Sequence, residues 1–255
     1  VFEMPRGLVR NSPNIRCLEG RELRQPVQRA LNRKGLAVTL DNDANVAAYA
    51  ESWIGAGKDK QTLVLFTLGT GIGGGVVLNG EVWRGAWGAA AELGHQIVRP
   101  DEPAYASGTP GALEDVASAT ALVRRLKEAV KAGRRTRLAK RVKAGEEVTA
   151  RDICDGAKAG DALCLKLVNE AGKFLGIGVT NMLHILNVEL VVFAGGMTAA
   201  GSILLKPIRA EVRKRAFPLV RRHVRILFSK LGNDAGLIGA AGLALHSKTG
   251  RRRTP

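Results

Sequence analysis

The segment TLVLFTLGTGIGGGVVLNGEVW (62–83) limits the possible folds more than any other part of the chain. An apolar, β-rich run meets five glycines within LGTGIGGG (68–75), and a second β run, Asn79-Gly80 and a third run follow. Asn-Gly between two such runs is the strongest short hairpin signal, because both residues accept a positive φ. The segment therefore reads as an antiparallel meander with a glycine-rich loop at its first turn. Around it, hydrophobic spacing predicts a helix over 20–34, with Leu23, Val27, Ala30 and Leu31 on one face, and a short buried strand over 36–40. Asp41, Asn42 and Asp43 supply capping chemistry for the next helix.

Beyond the meander, a loop over 100–110 leads to a helix over 113–130 and a basic connector. Thr149 and Asp152 form a capping-box pattern, with Asp in place of the usual Glu or Gln, that opens helices running to about Leu186. NVELVVFAGG (187–196) reads as a buried strand, 203–216 as a helix, VRILFSK (224–230) as a last strand and 235–245 as a last helix. Strands alternating with helices indicate an α/β protein.

At 255 residues the chain is long enough to bury the core of one large domain or two modest ones. Its 45% apolar and 24% charged residues suit a soluble globular protein. No apolar stretch reaches the roughly 18 residues that a membrane span requires. The opening VFEMPRGLVR lacks the apolar core and cleavage site of a secretory signal, and starting on Val1 it reads as a cut. Cys17, Cys154 and Cys164 are too few and too scattered for a disulfide framework, which fits a reducing, cytoplasmic setting.

The net charge of +16 raises the question of nucleic acid. Seven Lys and Arg fall between Lys131 and Lys143 with no acid, and nine between Lys206 and Lys230 against Glu211 alone. Few aromatics are interleaved and no zinc-finger or RNA-binding motif accompanies them, so they read as solvated helix faces. Nucleic acid and membrane are not expected partners.

Four constellations carry possible chemistry. Asn42-Asp43 lies at a strand-to-helix junction, where a carboxylate can cap the helix or accept a proton from a substrate hydroxyl. Gly69-Thr70-Gly71 opens a turn whose N–H groups can approach anionic oxygens, or simply reverse the chain. No Gly-Lys-Ser/Thr follows, and no helix follows the glycines, so neither a Walker A loop nor a dinucleotide fingerprint is present. Glu92, His95 and Glu114 could bind the hydroxyls of a polyol, although Glu114 also suits a helix N-terminus. Gly195-Gly196 follows a buried strand and opens a helix, as a tight βα turn or a close approach to a nucleotide.

In order and spacing, DNDANVAAYAE, TLGTGIGGGVVLNG, AELGH, GALEDVASATAL, ILNVELVVFAGGMTAAG and GNDAGLIGAAGLA resemble the successive motifs of ROK-family sugar kinases (repressors, open reading frames and kinases). The likeness runs from Ser12-Pro13-Asn14 to Ala244. It implies the two-domain actin-like ATPase (ribonuclease H-like) architecture, with sugar and ATP meeting in the interdomain cleft. Residues 1–54 would be the remainder of a small N-terminal domain, joined by 240–255, and 55–239 a large sugar and nucleotide domain. The resemblance makes Asp43 the general base that takes the proton of a hexose 6-hydroxyl. Asn42, Glu92, His95 and Glu114 become sugar contacts, and Gly69, Thr70, Gly71, Gly195 and Gly196 ATP contacts, with Mg²⁺ bridging the phosphates. Glucose is the expected substrate and glucose 6-phosphate the product, in a homodimer or larger oligomer. An N-acetylhexosamine kinase and a sugar-responsive ROK transcriptional regulator are the alternatives.

Two departures from the family pattern stand out. The Asp-x-Gly-Gly-Thr hairpin of the first phosphate loop is missing before Asp43, so the small domain is expected to be incomplete at its N-terminus and the chain to be poorly folded or inactive alone. The three cysteines that hold structural zinc in many members are replaced by Tyr105, Ser107 and Ala112. No zinc is expected, and packing, stiffened by Pro103 and Pro110, should hold the loop.

Overall fold

The computed structural model describes residues 2–3, 7–10, 15–32 and 38–247. A short ribbon pairs β1 (Phe2–Glu3) with β2 (Leu8–Val9), antiparallel. Helices α1 (Arg24–Ala30) and α2 (Asp43–Trp53) follow. The expected helix over 20–34 is shorter than its hydrophobic spacing suggests. Residues 20–22 run beside β2 instead: Gly20 N–H donates to the Val9 carbonyl at 2.9 Å, and Val9 N–H to that of Arg21 at 3.0 Å. The Glu22 carboxylate then accepts the Gln25 N–H at 3.0 Å, satisfying a free donor of the first turn, and Asn32 leaves the helix with φ at 45°. Of the expected strand at 36–40, residues 36 and 37 lie outside the described residues, and 38–40 form no strand.

The meander is present. β3 (Leu63–Leu68), β4 (Ile72–Leu78) and β5 (Glu81–Val82) join β6 (Leu190–Ala194) and β7 (Arg225–Phe228) in a five-stranded sheet of order β5-β4-β3-β6-β7. Asn79 and Gly80 turn the β4–β5 hairpin with φ of 53° and 75°, the doubly positive geometry that Asn-Gly favours. β6 and β7 are parallel, in the register Leu190↔Arg225 to Phe193↔Phe228.

The helices between these strands are α3 (Leu113–Ala117), α4 (Ala119–Lys131), α5 (Ala139–Lys143), α6 (Ala150–Lys158), α7 (Ala162–Leu186), α8 (Ser202–Arg215) and α9 (Pro218–His223), with α10 (Ala235–Ser247) last. The single helix expected over 113–130 is two. Ser118 takes an extended conformation and its hydroxyl accepts the Ala121 N–H at 3.1 Å, which ends α3 and caps α4. The capping box at Thr149 and Asp152 is complete in both directions. Arg141 and the Thr149 N–H and hydroxyl hold the Asp152 carboxyl down at about 2.

By their internal contacts the residues form two compact units. Unit one comprises the described residues up to 65, together with 75–91 and those from 230 on; unit two comprises 66–74 and 92–229. In unit one Gly75 of β4 backs onto Ala44 and Ala48 of α2, and α2 also touches β5 and α10. In unit one Glu51, fully buried on α2, accepts the N–H of Ala56 at 2.7 Å and of Leu231 at 2.9 Å, so the segment leading into α10 is tied to α2. In unit two the long α7 packs against α8, α6, α3 and α4, and the Phe66 and Phe193 rings stack 5.2 Å apart within the sheet. Among the described residues, no helix is long and apolar enough to cross a membrane.

Candidate active site

Asn42 and Asp43 lie in unit one. Asn42 is the N-cap of α2, its side-chain oxygen accepting the N–H of Ala44 at 2.9 Å and of Asn45 at 3.4 Å. That frees Asp43, the first helical residue, from the capping role its type suggests. Its side chain is exposed, and one carboxylate oxygen accepts the Ala44 N–H at 2.8 Å. The residue before the pair, Asp41, is nearly buried and collects donors. Its Oδ2 accepts Arg84 Nε at 2.9 Å and Nη2 at 2.5 Å, while its Oδ1 accepts the Asn42 N–H at 2.8 Å and Asn45 Nδ2 at 3.1 Å.

The other candidates lie in unit two, where they form one connected piece. The turn between β3 and β4 closes with Gly69 N–H donating to the Gly71 carbonyl at 3.0 Å. The Gly69 carbonyl in turn accepts the Ala119 N–H at 3.0 Å, which fixes the turn to the start of α4 and leaves Thr70 exposed at its tip. From α3, Glu114 Oε2 accepts the Ile72 N–H at 2.7 Å. A β-carbon on Gly71 would collide with that carboxylate, so the glycine is a condition of the grip. Gly94 backs onto the Ile72 carbonyl and the Glu114 Cβ, which brings the short 3₁₀ helix Leu93–His95 against the same turn. Oε2 of Glu92, the N-cap of that helix, and Nδ1 of His95 are 4.0 Å apart, with about half of each side chain exposed. Gly195, at φ 95°, lies over the Leu68 backbone, so the turn at Gly195-Gly196 sits beside the turn at 69–71.

The loop over 100–112 is braced by a residue that composition and spacing did not single out. Asp115, buried beside Glu114 on α3, accepts the N–H of Tyr105 at 3.0 Å, the N–H of Ser107 at 3.1 Å and the Ser107 hydroxyl at 2.5 Å. Burial pushes its carboxyl up, but these hydrogen bonds and the Arg124 charge outweigh burial and hold it below the usual carboxylate range. Arg124 lies 3.7 Å over the Tyr105 ring and donates to the Asp115 carbonyl at 2.8 Å. At the far end Ala112 is fully buried and bridges Ile97, and Leu113 N–H donates to the Gln96 carbonyl at 2.8 Å. A polar clamp on Asp115 holds the loop at Tyr105 and Ser107. This donor set does not fit a zinc ion, since Ser107 is committed to Asp115, Tyr105 lies under Arg124, and Ala112 has no donor. Among the described residues, no group of three His, Cys, Asp or Glu is placed to hold a metal.

An open pocket of about 600 Å³ adjoins the glycine turn, lined by Thr70, Thr120, Val123, Arg124, Lys127 and Thr149 among others. Apart from Thr70 and Thr149, nothing in the spacing of these residues marks them in the sequence, because α4 and the start of α6 come together only in the fold.

The sequence model of the ROK family matches residues 3–247. The chain is 41% identical over 209 residues to a glucokinase of Halalkalibacterium halodurans, covering 82% of this chain and 63% of that protein. It superposes on a ROK-family transcriptional regulator, a homologue of the E. coli MLC protein, with a TM-score of 0.84 and 28% identity. That match covers 96% of this chain and 60% of the regulator. A ROK-family glucokinase from Streptomyces griseus, solved with glucose and AMPPNP, matches with a TM-score of 0.78 and 31% identity over 94% of this chain and 77% of that one. The chain belongs to the ROK family, and its fold is the actin-like ATPase architecture of that family. It spans about 63% of the length of the H. halodurans relative.

Proposed function

We propose that the protein is an ATP-dependent hexose kinase that transfers the γ-phosphoryl group to the 6-hydroxyl of glucose. The observation that carries this reading is the Glu114 grip on the Gly69–Gly71 turn, beside Glu92 and His95. It makes a polyol-binding edge and an anion-binding turn one rigid piece, as a sugar kinase requires. The similarity to glucokinases supports the same conclusion.

In this reading Glu92, His95 and Glu114 bind sugar hydroxyls, with Asn42 as a further contact. Asp43 accepts the 6-hydroxyl proton as that oxygen attacks the γ-phosphorus, a role worth about 10²–10⁴-fold. Gly69, Thr70 and Gly71 hold phosphate oxygens through backbone N–H groups, and Gly195-Gly196 lets the nucleotide approach closely. The pocket beside Thr70, with Arg124 and Lys127 in its wall, offers room for the rest of the nucleotide. Mg²⁺ bound with ATP would neutralise charge on the phosphates. Otherwise positioning dominates, since phosphoryl transfer asks little covalent chemistry of the protein. We place the enzyme in the cytoplasm, as a homodimer or larger oligomer, and without zinc. A zinc content near one per chain after dialysis would contradict the last point.

The match to a transcriptional regulator over 96% of the chain favours a second reading, a sugar sensor on the same scaffold. The assay takes the native protein, with any residues that precede Val1, and measures ATP-dependent phosphorylation of glucose, mannose, fructose and the N-acetylhexosamines. Turnover on glucose is expected. Turnover only on an acetylated sugar would change the substrate, and sugar binding without turnover would replace the kinase with the sensor.

A further inference from the structure

The Asp41 carboxylate has only 7% of its side chain exposed, and a buried charge of this kind persists only if it is paired and hydrogen-bonded. Arg84 supplies the pair. It stands just after β5, and its Nη1 also donates to the Val82 carbonyl at 3.2 Å, which fixes its head to the end of the hairpin. Nε and Nη2 both engage Oδ2 and leave Oδ1 free for the Asn42 N–H and Asn45 Nδ2. Each carboxylate oxygen thus has a separate task. One holds the hairpin, and the other holds the first turn of α2, where Asn42 and Asp43 sit.

We propose that Arg84, acting through Asp41, is a positioning residue for the Asp43 base. The inference rests on the kinase reading. Asp43 is exposed and its carboxylate has one short-range partner, the Ala44 N–H, so its direction is set by the backbone of the turn. Asp41 fixes that backbone from the residue before Asn42, and Arg84 fixes Asp41. A lysine has one ammonium in place of a planar fork and cannot give two hydrogen bonds to Oδ2 while a third group binds Val82. Removing Arg84 leaves a nearly buried charge unpaired, and the turn must shift to hydrate it. A displacement of about 1 Å at a reacting group can lower turnover by about 10²-fold.

The test is a double-mutant cycle in the native protein, with Arg84→Met, Asp41→Asn and the two combined, and with Arg84→Lys and Asp43→Asn alongside. Each is assayed for kcat and for the KM of glucose and of ATP. Arg84→Met is expected to lower kcat by about 10²-fold. The ATP KM should stay within about twofold, because the glycine turns of unit two keep their own supports, while the glucose KM rises as Asn42 moves. The double variant should be no worse than Arg84→Met, the signature of residues acting as one unit. If Arg84→Met fails to fold, Arg84→Lys carries the test, with a smaller kcat loss at unchanged ATP KM. Additive losses, or a kcat decrease that only tracks the folded fraction with both KM values unchanged, would overturn the proposal and leave the kinase reading intact. Turnover indifferent to Asp43→Asn would overturn both.

Discussion

In unit one, the turn bearing Asn42 and Asp43 is anchored by Asp41, whose main partner is the charged guanidinium of Arg84. In unit two, Glu114 is followed by Asp115, whose acceptors are filled by two backbone N–H groups and a serine hydroxyl. Both anchors are aspartates placed next to candidate site residues, and both are nearly buried. They differ in what satisfies the charge. The ion pair joins two elements 43 residues apart and fails if either side chain is lost. The Asp115 clamp gathers a nearby loop through one side-chain hydroxyl and two main-chain donors, and only the hydroxyl can be deleted by a substitution short of proline. Support of the proposed base should therefore depend on side-chain identity at both partners, and support of the proposed sugar edge mainly on Asp115.

The largest expected effect lies beyond both anchors. Asp43→Asn should lower glucose phosphorylation by about 10²–10⁴-fold with little change in thermal stability. A loss from an anchor substitution alone that clearly exceeds about 10²-fold and matches that of Asp43→Asn would erase the distinction between acting and positioning residues.

Gly71→Ala comes next. Its β-carbon would meet the Glu114 carboxylate, so the grip on Ile72 should open, with a stability loss of about 1–3 kcal/mol in urea denaturation and a rise in the KM of both substrates. A normal glucose KM would show that the sugar edge does not need the turn.

Asp115→Ala sharpens the comparison directly. Leaving the Tyr105 and Ser107 N–H groups unpaired should cost about 1–3 kcal/mol, with little dependence on salt. Because folding lowers the Asp115 pKa, its contribution is fully present above the ordinary carboxylate value of 3.8 and is lost as pH falls through the lower folded value. The stability gap between the parent protein and Asp115→Ala should therefore be widest near pH 6 and close below pH 3.8. A gap that widens on acidification would contradict the clamp. Ser107→Ala, which removes one of the three donors, should cost only about 1 kcal/mol.

How much could be read beforehand follows the same division between local and distant partners. The Asn79-Gly80 hairpin, the Thr149–Asp152 box and the buried strand at 190–194 were legible because each is decided within a few residues. Hydrophobic spacing overstates the helix over 20–34 because residues 20–22 have a partner in β2, and it hides the break at Ser118 because the periodicity runs through it. Asn42, Asp43, Glu114 and the glycines were marked by residue type and by family likeness. That Asn42 caps α2, leaving Asp43 uncommitted, was left open by the sequence and decided by the backbone. Arg84 and Asp115 gave no signal. An arginine after a hairpin and an aspartate in a first helical turn are commonplace, and only the fold supplies their partners. The loop where thiolates are replaced shows both sides of this. The missing donors could be read directly, whereas the carboxylate clamp depends on where α3 comes to lie.

The central claim is that this protein phosphorylates glucose at its 6-hydroxyl with Asp43 as the base. The most direct measurement couples the native protein, ATP, Mg²⁺ and glucose to glucose-6-phosphate dehydrogenase and follows reduced nicotinamide, with Asp43→Asn in parallel. The account expects steady ATP-dependent signal that nearly vanishes in the variant. Absence of signal from a folded protein that still binds glucose, or equal signal from both proteins, would contradict it.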